Sequence, residues 1–159
     1  MAVNVFLKVD GIKGEARDAK HKDEIDVLSW SWGMASPPPS PGGGGGAGRV
    51  SIQDVSIGKR IDAASPPLML SCASGQHIKS ALLSARKAGA GSAAYLTIKM
   101  EDVFVTSVAV GEPGPKGGGT ETVTLNFGKV ALEYVPQKVA GASSPPISFK
   151  WDVTKNSKF

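Results

Sequence analysis

The most conspicuous chemical motif in this chain is a run of glycines over residues 42–48, which matches the spacing of a dinucleotide-binding loop. The matching positions are Gly43, Gly45 and Gly48. In such a loop the glycines let backbone N–H groups approach a pyrophosphate, and a helix must follow so that its N-terminus faces the phosphates. Residues 49–57 instead contain alternating apolar side chains, which predicts a strand. We therefore expect no nucleotide site here.

The other reactive side chains are isolated from one another along the sequence. His21 and His77 are the two histidines, and neither has a Cys, Asp or Glu at metal-ligand spacing on a helix. Cys72 falls on a predicted apolar stripe, where a buried thiol is more common than a nucleophile. No serine occupies a nucleophile elbow, although a Ser–His–Asp triad assembles in space and stays open at this stage. We expect no metal, no cofactor and no enzyme activity.

The charge pattern argues against nucleic-acid and membrane partners. The formal net charge is +4, and residues 13–26 mix acidic and basic side chains rather than forming one basic face with aromatics between them. No apolar stretch is long enough to span a bilayer, and the N-terminus lacks the basic start and apolar core of a secretory signal. We expect a protein made in the cytoplasm, without nucleic-acid binding or membrane insertion, whose export would not use an N-terminal signal peptide.

Most of the chain alternates with a period of two, so residues 1–159 predict a single domain built mainly from β-strands. Segment 24–34 predicts one strand with an apolar core face and a small, neutral opposite face. The core face would carry Leu28, Trp30, Trp32 and Met34, and the other face Ser29, Ser31 and Gly33. The small face suits close packing or a smooth wet wall, with an ordinary exposed face as the alternative.

The alternation slips by one residue at several places, and each slip predicts a bulge, because the apolar set would otherwise turn to the wrong face. The slips fall at steps 27–28, 53–54, 101–102 and 106–107 and near Gly128. Long strands that bend at bulges predict a closed or nearly closed barrel, or a curled sandwich, rather than a flat sheet.

One segment, residues 65–75, breaks the strand pattern. Ser65 at the N-cap, prolines in the first turn and Gly75 at the C-terminal cap predict one short α-helix. Its apolar stripe would contain Leu68, Cys72 and either Met69 or Leu70. Residues 78–88 predict a further strand, with a helix as the alternative. Residues 35–49 are rich in Pro and Gly and carry almost no apolar bulk, so we expect a long loop that packs against another molecule.

Several segments together resemble the haemolysin-coregulated protein family, which forms the inner tube of the bacterial type VI secretion system. They are residues 1–3, 24–34, 42–48, 86–89 and 123–127. The resemblance extends over essentially the whole chain, in order. It implies a two-sheet β-barrel with one short flanking α-helix, similar to phage tail-tube proteins. It also implies hexameric rings that stack into an expelled tube, with spike and sheath proteins as partners and small effectors in the channel.

The resemblance also assigns roles to particular residues. In the family, the strand that carries the two tryptophans turns its other face to the channel, so Ser29 and Ser31 are expected to contact effectors. The following loop contacts neighbouring subunits and maps onto residues 35–49. Its expected contact residues are Pro37, Pro38, Pro39, Pro41, Gly43, Gly45 and Gly48. The prolines depart from the family pattern, and they would either favour assembly or alter ring stacking. A monomeric β-barrel that binds sugar or peptide is the alternative.

Overall fold

The computed structural model describes residues 3–38, 49–88, 93–111, 118–136 and 144–159, and within them it contains ten strands and one helix. The strands are β1 (Val3–Val9), β2 (Ile25–Val27), β3 (Ser29–Ser31), β4 (Met34–Ala35), β5 (Ser51–Ile52), β6 (Val55–Arg60), β7 (Ile78–Lys87), β8 (Ala94–Gly111), β9 (Thr120–Tyr134) and β10 (Ile147–Asp152). The helix, α1, spans Ser65–Ser74. The mainly β architecture, the single flanking helix and the strand over residues 78–88 are all confirmed.

Eight of the strands form one antiparallel sheet that nearly closes on itself. The order is β2-β1-β7-β8-β9-β6-β3, with β10 on β9. The end strands β2 and β3 are separated in sequence only by Leu28, whose N–H donates to the Gly58 carbonyl of β6 at 2.7 Å. The sheet therefore returns to its own beginning, and the predicted barrel is confirmed. A small second sheet pairs β4 with β5.

The two longest strands, β8 and β9, take part in both sides of the barrel. The first half of β9 pairs with β6, and its second half pairs with β10. Opposite β9, the register of β8 shifts between Val105 and Ser107, so Thr106 is an extra residue. This is the bulge predicted from the slip at step 106–107.

We call β3, β6, the first half of β9 and the second half of β8 the first wall. The second wall contains β1, β7, the first half of β8, the second half of β9, and β10.

The core lies between these walls and is made of the inward side chains of the alternating strands. Its fully buried members include Leu7, Ile25, Ile57, Leu83, Ile98, Met100, Val103 and Leu125. Burying one such side chain contributes about 1.5–3 kcal/mol relative to leaving it in water. Trp32, Phe149 and Trp151 extend the core beyond the end of the first wall, where Trp32 packs 6.3 Å from Phe149 between ring centroids.

The prediction of one continuous strand over residues 24–34 is wrong. The segment divides into β2, β3 and β4, and the buried set changes from Ile25 and Val27 to the partly buried Trp30 and Trp32. Leu28 is 53% exposed and Met34 is 42% exposed, so neither shares the core face of the tryptophans. The chain breaks at Leu28 because there it passes from the neighbour of β1 to the neighbour of β6. The slip at step 53–54 is likewise a break, between β5 and β6.

The helix is in its predicted place, but two details differ. Its N-cap is Ala64 and not Ser65, whose side chain turns into the protein instead. Leu68 is fully buried and Cys72 is partly buried, as predicted for the apolar stripe of the helix. Met69 and Leu70 are both exposed, so neither of the two alternatives for its third member belongs to the stripe. Gly75 ends the helix with φ of 65°, a left-handed conformation in which a side chain would be strained.

Candidate functional site

The middle of the outward face of the first wall is a continuous surface of small, uncharged side chains, and the next rows of the same face carry Arg60 and Phe104. Antiparallel partners across a ladder point to the same side of the sheet, so the register identifies the rows of this face. One row is Ser31, Ser56, Thr124 and Ser107. The adjacent row is Ser29, Gly58, Thr122 and Ala109. We call these eight residues the hydroxyl face, because six of them carry a hydroxyl group.

Polar contacts at the bulge order one end of the hydroxyl face. The Thr106 hydroxyl donates to one carboxylate oxygen of Asp54 at 2.7 Å, and the Asn126 amide donates to the other at 2.9 Å. Thr106 and Thr124 are joined through their hydroxyls at 2.7 Å, and Ser107 contacts the same Thr124 oxygen at 2.8 Å. The bulge therefore aims two adjacent hydroxyls at one threonine. The hydroxyls at this end are held in a network rather than left free to rotate.

The eight residues of the hydroxyl face themselves offer neither a charge nor an apolar pocket, since none of them is charged, aromatic or a long aliphatic residue. Charged and aromatic side chains lie only at its borders, where Arg60 is on one side and Asp54 and Phe104 are on the other. What the hydroxyl face offers is a smooth surface of hydroxyl donors and acceptors, fixed at the bulge and free to rotate elsewhere, and such a surface binds through direct and water-mediated hydrogen bonds. The face is therefore suited to weak contact with the polar surface of another molecule.

Both serines singled out from the sequence lie on this face and are exposed, although β3 is only three residues long. Sequence reasoning missed Ser56, Ser107, Thr122 and Thr124, which extend the same rows across three further strands. Their signal was present, since small polar residues alternate with Val55, Ile57, Val123 and Leu125. What the sequence lacks is the register, which alone shows that these alternations lie side by side.

The predicted contact loop leaves the barrel on a short two-stranded stem. Met34 pairs with Ile52, and Ala35 pairs with Ser51. The foot of the stem is tied down by the Trp32 indole N–H, which donates to the Gln53 carbonyl at 3.0 Å. Beyond the stem Pro37 and Pro38 are exposed. The other loop residues that we selected lie outside the described residues; they are Pro39, Pro41, Gly43, Gly45 and Gly48.

A buried ionic cluster joins the start of α1 to the barrel. The Lys59 ammonium is fully buried and forms ion pairs with Glu121 and, at 2.8 Å, with Asp62. The Ser65 hydroxyl lies 3.1 Å from the Lys59 nitrogen and donates to Glu121 at 2.8 Å. A serine beside a lysine is a known catalytic pair, but here the ammonium is the counter-ion of two carboxylates and the serine is only 2% exposed. The cluster anchors the helix.

Both histidines contact other side chains of the fold rather than a metal-binding or catalytic cluster. His21 stacks on Phe6 with 4.3 Å between ring centroids and lies 3.0 Å from a Glu24 oxygen. His77 contacts Asp102 at 2.9 Å. Among the described residues no group of three His, Cys, Asp or Glu side chains is placed to hold a metal ion. In the same part of the chain no helix is long and apolar enough to cross a membrane.

The carboxyl group of Asp152 has a clearly lowered pKa. A hydrogen bond from the Thr154 hydroxyl and a second from the Lys155 backbone N–H lower the pKa of the Asp152 carboxyl below its ordinary value. The side chain is 3% exposed, and a backbone bridge between Asp152 and Ser157 closes the turn around it. Asp152 therefore holds the C-terminal turn against the end of β10.

Comparison with known proteins agrees with this architecture over the full chain. Residues 6–134 match the family model described as type VI secretion system effector, Hcp. Protein hcp1 of Pseudomonas aeruginosa is 50% identical, over 98% of each chain. The crystal structure of Hcp1 from Salmonella typhimurium has a TM-score of 0.83 at 38% identity and covers all of both chains.

A type VI secretion system effector from Yersinia pestis gives a similar result, with a TM-score of 0.78, 37% identity and coverage of 94% of this chain and 99% of that one. The family match extends from β1 to the end of β9, and so includes every strand of the hydroxyl face. The chain belongs to the Hcp family of type VI secretion system proteins.

Proposed function

We propose that this chain is a structural tube subunit that forms homohexameric rings, that the rings stack into an expelled tube, and that the hydroxyl face lines the channel and holds small effectors. The observation that carries the proposal is the uncharged hydroxyl face itself, in a member of the Hcp family. A wall without charge or apolar pockets retains a polar cargo weakly enough to release it. The sheath that would surround the tube and the spike at its tip belong to the same proposal.

The edges of the first wall support closure into a ring. Within the described residues β3 pairs only with β6, so its other edge is open. At the opposite side of the wall, β7 pairs with β8 only as far as Val103, so residues 104–111 have no strand partner on that edge, and α1 packs against β8 there. Unpaired strand edges tend to pair with another chain. Head-to-tail contacts between two different edges close into a ring when the rotation allows it.

The long loop supports contacts between rings. Its stem leaves the barrel beside Trp32, and its first residues after the stem are exposed to solvent. An exposed segment rich in prolines loses less entropy on ordering than an ordinary loop of the same length. We therefore place Pro37, Pro38, Pro39 and Pro41, with Gly43, Gly45 and Gly48, in contacts between subunits.

Negative-stain electron microscopy with light-scattering mass on the same purified sample tests the proposal. We expect six-fold rings with an open centre and a mass six times the 16.4 kDa of one chain. Co-purification of a small effector with such rings would test the carrier role. A uniform monomer that persists at high protein concentration would overturn the tube assignment. It would favour a monomeric module that binds sugar or peptide.

A further inference from the structure

One basic residue, Arg60, lies at the border of the hydroxyl face. It is the last residue of β6 and lies directly opposite Thr120 of β9, which in turn lies opposite Gly111 of β8. Because successive residues of a strand alternate between its two sides, these three form the next outward row beyond that of Gly58. The neighbouring Lys59 points into the core, so the Arg60 side chain points outward, where it is exposed.

The backbone around Arg60 is held by the buried ionic cluster. The Lys59 ammonium donates to the Arg60 carbonyl at 3.0 Å, and Lys59 is itself paired with Glu121. On the other side of Arg60, the Ile61 N–H donates to the Gly119 carbonyl at 3.0 Å. Arg60 therefore starts from a fixed position on the wall, which lowers the entropy that it loses when it binds a ligand.

The row leaves the guanidinium room and a second donor. An added Cβ at Gly111 would meet no atom of the described residues within 4 Å, so the far end of the row is open. Thr120, between the two, is half-buried and carries a hydroxyl. In the parts of the chain that the structure describes, Arg60 forms no ion pair. A guanidinium donates to both oxygens of a carboxylate at once, and a hydroxyl beside it can donate to the same group.

The opposite border of the hydroxyl face is acidic. The Asp54 carboxylate accepts a hydrogen bond from Asn126, which is six residues from Thr120 on β9, or about 20 Å at the rise of a strand. One subunit therefore presents a cation at one border and an anion at the other, with uncharged hydroxyls between them. A carboxylate of another molecule is attracted to Arg60 and repelled by Asp54, so the face binds it at one border only.

The ring repeats this row around the channel, a step that rests on the proposed function. If the edges of β3 and of residues 104–111 meet between subunits, the strands of the first wall stand side by side around the channel and their rows encircle it. Adjacent copies of Arg60 are then separated by four strands, or about 19 Å. We propose that Arg60, together with Thr120, is a carboxylate-binding site at one border of the channel wall, and that it selects effectors with Asp or Glu on their surface.

The wide spacing of the site favours a protein over a nucleic acid. Double-stranded DNA carries one charge per about 1.7 Å of its axis, so most phosphates would face uncharged hydroxyls and some would face Asp54. The carboxylates of a folded protein are scattered, and a few of them at one end suffice to contact several copies of Arg60.

The test measures how assembled rings bind a defined acidic probe. The probe is a rhodamine-labelled peptide of about 15 residues, made of Gly and Ser with Asp at every third position. A control peptide has Asn in place of each Asp. We expect fluorescence anisotropy to show about ten-fold tighter binding of the Asp peptide, since several exposed charge pairs act together. This preference should shrink between about 0.02 M and 0.3 M salt because the charges are screened.

Variants of one residue separate the site from net charge. Arg60→Gln should remove the preference, and Arg60→Met repeats the test with another uncharged side chain. Arg60→Lys should keep only part of the preference, because an ammonium does not bind both carboxylate oxygens in a fixed fork. Arg17→Gln makes the same charge change at an exposed position in the loop between β1 and β2 and should leave the preference unchanged. Equal losses with Arg60→Gln and Arg17→Gln would overturn the proposal, as would a DNA oligonucleotide that binds through Arg60 more tightly than the Asp peptide.

Light-scattering mass on the same samples separates this inference from the function on which it rests. Parent rings of six chains that bind the Asp and Asn peptides equally would refute the role of Arg60 and leave the tube assignment intact. A parent protein that remains a monomer would refute the tube assignment and the channel site together.

Discussion

Gly58 of β6 lies opposite Ser29 of β3, and a Cβ atom added at Gly58 would lie 2.5 Å from the Ser29 hydroxyl oxygen. Because Gly58 has no side chain, the Ser29 hydroxyl can occupy the space beside it on the hydroxyl face. Both residues belong to the same cross-strand row as Thr122 and Ala109, so a larger residue at Gly58 would disturb the middle of that row.

We expect Gly58→Val to destabilise the protein by about 1–3 kcal/mol, because the new side chain must displace Ser29 in a packed ladder. The higher strand propensity of valine offsets part of this cost. Adding Ser29→Gly should recover part of the loss, with an interaction energy of about 0.5–3 kcal/mol measured by urea unfolding of the four proteins. Gly111→Val is the control, since an added Cβ there meets no atom of the described residues within 4 Å. Equal costs at the two glycines, without coupling to Ser29, would contradict the steric argument.

The sequence predicted the local elements well where the chain alternates strictly or ends a helix at a glycine. Gly75 ended the helix as its type requires, and the extra residue at Thr106 followed from a slip in the apolar phase. These features are local, because a single residue's conformation or a period of two decides them. The barrel followed from the number of such slips rather than from any long-range contact.

The candidate site was predicted only at its first strand. Ser29 and Ser31 were identified, but Ser56, Thr124 and Ser107 join them through pairings between strands up to 76 residues apart, counted from Ser31 to Ser107. Register across such distances depends on the assembled core, which the alternation of one strand does not specify. The same limit explains the error over residues 24–34. The slip at step 27–28 indicates a local irregularity at Leu28, but nothing local indicates that the sheet closes there.

The buried ion pair between Lys59 and Glu121 should be costly to break and less costly to replace. Glu121→Gln leaves the buried ammonium with Asp62 as its remaining carboxylate partner, and we expect a loss of about 3–5 kcal/mol in the free energy of unfolding. Lys59→Met with Glu121→Leu should lose less, because the fully buried ammonium and the fully buried carboxylate are removed together. Asp62 loses its lysine but is partly exposed and keeps the hydrogen bond from the Ala64 N–H. Urea unfolding at matched protein concentration measures both.

The control is Glu101→Gln at the exposed contact with Lys99, which we expect to change the free energy of unfolding by less than about 1 kcal/mol. A double variant less stable than Glu121→Gln would contradict this reasoning.

Asp152 should make the C-terminal turn sensitive to acid. Its pKa is lowered in the folded protein by the hydrogen bonds from Thr154 and Lys155, so folding favours the ionised form. Its contribution is therefore fully present above the ordinary carboxyl pKa of about 4 and is lost as the pH falls through the lowered value. Asp152→Asn should be less stable than the parent at pH 7, and the difference should shrink as the pH falls below about 4. Thermal unfolding from pH 7 to pH 2 measures it. A difference that stays constant over that range would rule out this linkage.

Deleting residues 37–46 should preserve the barrel but impair ring stacking. The deletion leaves β4 and β5 joined by Ser36 and residues 47–50, and a connection of five residues is a common hairpin length. The removed segment begins at Pro37 and Pro38, which are exposed and contribute nothing to the core. We expect an unchanged melting temperature within about 3 °C and rings that fail to form tubes by electron microscopy. A variant that is unfolded as a monomer would show that the loop belongs to the core and would contradict its role between subunits.

Ser31→Gln should weaken effector retention while leaving the ring intact. Ser31 is exposed at the end of the row that continues through Ser56 and Thr124, and a longer amide side chain there would stand above the smooth hydroxyl face. The substitution adds no charge and touches no core residue, so its effect on stability should be within about 0.5 kcal/mol. Ser148→Gln is the matched control, because Ser148 is an exposed serine on β10, on the outward face of the second wall. Co-purification of effector with rings of equal mass is the measurement. We expect less effector with Ser31→Gln and unchanged effector with Ser148→Gln, since only the first alters the surface that we place against the cargo. Equal retention by the two variants would separate the hydroxyl face from effector binding, even if the rings themselves are present.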